Sequence, residues 1–131
     1  MRVGGRWNSP GQPVIYGATT YAGAMLEMLV HTRIGKVPTS HVWIVAQVPA
    51  AVSIEIATVA MLPVDWDAQE SQSARAFGDR WLRELRTAVL LVPSVITGDD
   101  GNVMVNPAHP DAVNISVSEP HVVAWDTRLF E

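Results

Sequence analysis

Three side chains able to act together on a charged ligand arrive early in the chain: Arg6, Tyr16 and Glu27. Arg6 lies in a loop of glycines and prolines, GGRWNSPGQP. A guanidinium can grip phosphate through two parallel hydrogen bonds, and glycines let backbone approach a ligand closely. The plainer reading is a surface arginine lying on Trp7. Tyr16 ends the short apolar run VIY, which Gly17 stops. It suits a core edge or a stacking wall for a planar ring, and local sequence does not choose between them. Glu27 falls inside an apolar helical pattern, with His31 one turn further along the same face. A carboxylate there is costly unless it is paired or lines a cavity. A Glu27–His31 pair could satisfy itself at a core edge. We read instead a site carboxylate with His31 beside it, because carboxylates are rarely placed inside buried helices for packing alone. The three residues thus form half of a site for a phosphate-bearing ligand.

The elements that must hold these side chains can be sketched from the pattern. Thr19 or Thr20 caps a helix over residues 21–33, and Gly35 and Pro38 end it. Ala22, Met25, Leu26, Met28, Leu29 and Val30 leave this helix almost no polar face, so it is expected to be buried on most sides. Residues 41–48 and 52–59 read as two strands, expected to be antiparallel neighbours, with His41 and Glu55 facing solvent. Residues 62–66 read as a further extended piece, with Pro63 marking an edge. A second helix runs from Ser73 or Gly78 to Arg86. Trp81, Leu82 and Leu85 form its apolar stripe, and Asp79, Arg80, Arg83, Glu84 and Arg86 its wet side. The run AVLLV (88–92) is a central strand. Ser94, just beyond it, is a turn residue or a pocket donor. GDDGN (98–102) makes a turn into a strand at 103–105, and residues 114–117 and 121–125 give the last strands. Asn106, His109 and Asp111 sit in the break NPAHPD, with no second histidine at ligand spacing, so no metal site is expected.

With 131 residues the chain makes one domain with a real core. Apolar residues at 48% against charged residues at 17% exclude a disordered chain. A net charge of −4 without a basic run argues against a nucleic-acid surface. The absence of cysteine removes disulfides and thiolate metal sites and fits a reducing cytoplasm. No apolar run reaches the roughly 20 residues of a membrane span, and no signal core follows the N-terminus. One or two helices against roughly six to eight short strands make a single-domain α+β fold with a mostly antiparallel, split sheet.

GGRWNSPG, VIY, LEMLVH, VPS and NPAHP, in that order, resemble the RES family, toxins of type II toxin–antitoxin systems. The resemblance runs from residue 4 through the closing AWDTRLF, so the whole of 1–131 is expected to be one RES domain. It places the family's arginine, glutamate and serine at Arg6, Glu27 and Ser94, and its accompanying tyrosine at Tyr16. It implies an ADP-ribosyltransferase-like split antiparallel sheet and an activity that consumes NAD as substrate, with no further cofactor. Arg6, Tyr16, Glu27 and Ser94 would be the catalytic set. Trp7, Asn8, His31 and Asn106 would join Arg6 and Tyr16 in binding the substrate. The resemblance also implies a helix-turn-helix antitoxin partner, with DNA reached only through that partner. No membrane contact is expected, and a homodimer within a hetero-oligomer is one arrangement left open by the sequence. In one respect the chain departs from the pattern: the segment that usually precedes GGRWN is not expected here, since Met1 stands just before it. Two other functions stay in view. One is a catalytically weak module acting by antitoxin binding and co-repression; the other is an ADP-ribosyltransferase that modifies a protein.

Overall fold

The computed structural model describes residues 5–32, 41–98 and 100–130. The architecture is α+β, with two α-helices among the described residues. The central feature is a four-stranded sheet. It comprises β1 (Ile15–Ala18), β4 (Ile54–Ile56), β5 (Val89–Pro93) and β6 (Gly101–Val105), in the order β1-β6-β5-β4. β6 runs antiparallel to both β1 and β5, whereas β4 runs parallel to β5. Two short antiparallel ribbons stand apart: β2 (Val42–Trp43) with β8 (His121–Val122), and β3 (Ala46–Gln47) with β7 (Ser116–Val117).

The run AVLLV does become an inner strand, because it is apolar on both faces. Leu90 and Val92 turn to one face, where they join Met104 of β6. Val89 and Leu91 turn to the other, with Val103, Val105, Val52 and Ala88. The first face is covered by α2 (Gln72–Glu84), which contributes Ala74, Trp81 and Leu82 to a core that also holds Trp7, Trp66 and Phe77. Ser71 caps α2, its Oγ accepting from the Ala74 amide at 3.0 Å. At the other end Leu85 takes a left-handed conformation with φ of 51°, a position where glycine is usual.

Several expectations are corrected. Segments 41–48 and 52–59 are not neighbours: the first breaks into β2 and β3, paired with β8 and β7, and the second supplies β4, paired with β5. Polar partners decide part of this. The Ser53 amide donates to Asp111 at 2.9 Å, and Ser53 Oγ accepts from the Ala88 amide at 3.0 Å, which together seat β4 beside β5. Residues 62–66 are not extended. A 3-10 turn at Val59–Met61 is followed by a second turn in which the Trp66 amide donates to the Pro63 carbonyl. Residues 110–114 likewise form a 3-10 turn, ahead of β7.

The largest difference concerns α1 (Tyr21–Thr32). Thr20 caps it as expected, its Oγ1 accepting from the Gly23 amide at 2.9 Å. The helix is not buried on most sides: Tyr21, Ala22, Ala24 and Leu26 are exposed, and Gly23 is buried. Apolar composition alone does not reveal whether anything covers a helix. The terminators expected at Gly35 and Pro38 fall outside the described residues.

Candidate functional site

The first link is a loop anchored by one asparagine. Asn8 is fully buried. Its Oδ1 accepts from the Gly5 amide at 2.8 Å and from the Tyr16 hydroxyl at 2.5 Å, and its Nδ2 donates to the Gln12 carbonyl at 2.9 Å. The Tyr16 oxygen in turn accepts from the Trp7 amide at 3.3 Å. Loop 5–8 is therefore laced to β1 through Tyr16. Gly5 is required by the closeness of this packing: a Cβ there would stand 2.7 Å from the Tyr16 hydroxyl oxygen. A second tether runs to α2, where Asp79 accepts from the Ser9 amide at 2.8 Å and from Ser9 Oγ at 2.5 Å. Asp79 thus leaves the wet side expected for it and faces the loop.

Arg6 projects from this loop. Its Nη1 donates to the carbonyls of Trp66 at 3.0 Å and Ala68 at 2.6 Å. Neutral carbonyls aim the guanidinium without cancelling its charge, so it keeps its pull on an anion. The Trp7 ring has its own partners in the core. Trp7 is 2% exposed and stacks on Trp66, ring centroids 6.2 Å apart, with Phe77 at its edge.

Glu27 approaches from α1. Its Oε1 accepts from Ser94 Oγ at 3.1 Å and from Asn102 Nδ2 at 2.9 Å. Ser94 is 3% exposed, and its oxygen also accepts from the amides of Ile96 and Thr97 at 3.2 and 3.3 Å. A hydroxyl occupied by two incoming amides has its proton left for the carboxylate. Both roles foreseen for Ser94 are therefore present: it shapes the turn after β5 and donates at the pocket.

A cleft of about 480 Å³ joins these parts. Arg6, Tyr16, Glu27 and Asn102 line it, with Gly17, Ala18, Val95 and Ile96 as apolar walls. This volume lies within the roughly 300–1,000 Å³ of small-molecule sites, and a few converging polar groups on apolar walls is their usual make-up. The Tyr16 phenol is pushed up to about 12, chiefly by burial and against the opposing effect of the Trp7 amide. It stays protonated at neutral pH and serves as a donor and wall, not as a base.

The expected site residues separate into groups. Arg6, Tyr16 and Glu27 meet in one cleft, with Ser94 behind Glu27. Trp7 borders the cleft, but its indole belongs to the core. Asn8 is one layer back, its amide committed to loop and tyrosine. Asn106 lies at the far end of β6, where Nδ2 donates to the Leu82 carbonyl at 3.3 Å and Oδ1 accepts from the Ala108 amide at 3.0 Å. It is 2% exposed and does not line the cleft. The reason is strand length: Asn106 stands four positions beyond Asn102, just past the end of β6, roughly 13 Å of extended chain. The side chain of His31 falls outside the described residues. His109 and Asp111 serve backbone amides, of Asp111 and Ser53 respectively. Asn102 was not foreseen. It follows a GDDG turn signal, and only the pairing of β6 with β1 and β5 places it opposite Glu27.

Residues 1–126 match the family model described as RES domain. The chain is 41% identical over 131 residues to the "Prs ADP-ribosylating toxin" of a Sphingobium species, covering 98% of this chain and 81% of that protein. It is 37% identical over 132 residues to "Toxin Res" of Pseudomonas putida, covering 99% and 88%. A "Toxin Res" of Yersinia enterocolitica is 35% identical over 133 residues, covering 96% and 84%.

Proposed function

For this chain, which belongs to the RES-domain family, we propose the role of a toxin that consumes NAD by breaking the bond between nicotinamide and ribose. The observation that carries the reading is the Glu27 carboxylate, held by Ser94 and Asn102 in a cleft that it shares with Arg6 and Tyr16. The chemistry asks for a fixed negative charge. As the bond from nicotinamide nitrogen to ribose C1 breaks, its electron pair returns to the ring, which leaves neutral. Positive charge builds on the ribose, as in glycoside hydrolysis. A preorganised carboxylate beside C1 stabilises that charge without reorganising. No strong acid is required, which agrees with a tyrosine that keeps its proton. The acceptor's attacking atom then bonds to C1, and any proton it carries passes to solvent. Arg6 holds the pyrophosphate, and Tyr16 walls the nicotinamide–ribose end.

The acceptor is water, phosphate or a protein side chain. The name of the Sphingobium relative, an ADP-ribosylating toxin, favours including the last. Names among the relatives that say toxin also support an antitoxin partner. We assign that partner a helix-turn-helix domain, the contact with DNA, and a shared place in the cytoplasm. NAD carrying label in its adenylate half tests the reading. Incubation with purified protein, with and without phosphate and lysate, is expected to yield ADP-ribose, its phosphate ester, or a labelled protein band. Arg6→Ala is expected to raise KM for NAD by about 10- to 100-fold, since charge-assisted bonds to the pyrophosphate are lost. Full recovery of intact NAD under every condition would contradict the reading.

A further inference from the structure

We propose that Asn102 is the positioning residue that fixes the Glu27 carboxylate for catalysis, an inference that rests on the NAD-cleaving reading above. Glu27 comes from α1, whose described side chains are part exposed and part half-buried. Tyr21, Ala22, Ala24 and Leu26 are exposed, whereas Met25, Met28 and Leu29 are half-buried, and a long glutamate side chain keeps rotamer freedom that its helix backbone does not remove. Two donors reach it from the other side of the cleft. Asn102 Nδ2 and Ser94 Oγ both donate to the same oxygen, Oε1, at 2.9 and 3.1 Å. Two donors converging on one oxygen fix where that oxygen sits.

The two donors are not equivalent. Ser94 lies in the turn after β5 and is itself held by the amides of Ile96 and Thr97. Asn102 lies within β6, paired to Val92 of β5 on one side and to Ala18 of β1 on the other. A residue laddered on both sides has the most rigid backbone a sheet provides, and Asn102 also lines the cleft beside Glu27. Its amide is thus the fixed reference against which the carboxylate is aligned to the ribose. The neutral donor suits this task. It supports a charged Glu27 without offering a counter-charge that would weaken its pull on the developing cation.

Nicotinamide release by wild type, Asn102→Ala and Asn102→Asp, measured together with NAD affinity and thermal midpoint, tests the proposal. Asn102→Ala is expected to lower kcat by about 10- to 100-fold, with KM within about threefold of wild type and the midpoint little changed. Asn102→Asp keeps the size of the side chain but sets an acceptor against Oε1. It is expected to lower kcat further than alanine does, an order that a packing role would reverse. Wild-type kcat in either variant overturns the proposal. So does a loss explained by weaker NAD binding, or unfolding of both variants, which would make Asn102 structural. If Asn102→Ala alone fails to fold, the isosteric Asn102→Asp carries the test. Failure of wild type to release nicotinamide overturns the NAD reading itself and the positioning role with it, and so is distinguishable from an active wild type with active variants.

Discussion

Tyr16 holds one end of the site together through its hydroxyl, which donates to Asn8 and accepts from the Trp7 amide. Removing that oxygen in Tyr16→Phe is expected to cost about 1–2 kcal/mol of stability, as a buried polar network loses its centre. It is also expected to change the alkaline limb of stability. The folded phenol keeps its proton to about 12, whereas an unfolded tyrosine loses it near pH 10. The stabilisation is therefore complete below about pH 10 and fades as pH rises toward about 12. Urea midpoints measured across that window should fall more steeply for wild type than for Tyr16→Phe. Parallel slopes would show that the phenol does not titrate against folding.

At the scale of elements, the site depends on how closely α2 meets the arginine loop. A Cβ on Gly78 would sit 1.7 Å from the Trp7 carbonyl oxygen, a backbone atom that cannot step aside. Gly78→Ala is therefore expected to cost at least about 3 kcal/mol, at or beyond the upper end of ordinary overpacking, and to raise KM for NAD as Arg6 is displaced. Thermal denaturation with NAD titration checks both, and a near-native midpoint would contradict this packing. Nothing in the sequence marks Gly78 as a contact point; it reads as a glycine near a helix start. By contrast, AVLLV declares an inner strand by itself, and the Thr19–Thr20 pair declares a cap. The clustering of Arg6, Tyr16 and Glu27 was legible because each carries chemistry in a short stretch. Asn102 and the parallel β4–β5 pair were not, since both follow from strand pairing between distant segments. Asn106 misled for the complementary reason: a polar residue beside prolines suits a pocket or a buried turn equally.

Across the whole molecule, order is uneven. The four-stranded sheet and α2 share the main core, while each ribbon, β2–β8 and β3–β7, is only two residues long per strand. Isolated two-stranded pairs are marginal in water. Native-state hydrogen exchange is expected to be slowest in β5 and β6 and orders of magnitude faster in the ribbons. Uniform protection would contradict a single dominant core. Among the described residues no helix is long and apolar enough to cross a membrane. The cleft lies between the sheet strands β5 and β6 on one side and α1 on the other. The Glu27 bonds to Ser94 and Asn102 join the two.

The central claim, that Glu27 is the carboxylate that drives loss of nicotinamide, is tested most directly by nicotinamide released from NAD under single-turnover conditions. Wild type and Glu27→Gln would be compared at equal NAD occupancy. Release by wild type and a fall of about 100- to 1,000-fold in Glu27→Gln, with NAD affinity within a few-fold, is the result expected from loss of a preorganised charge. Equal rates in the two proteins, or NAD bound by wild type and left intact, would contradict it.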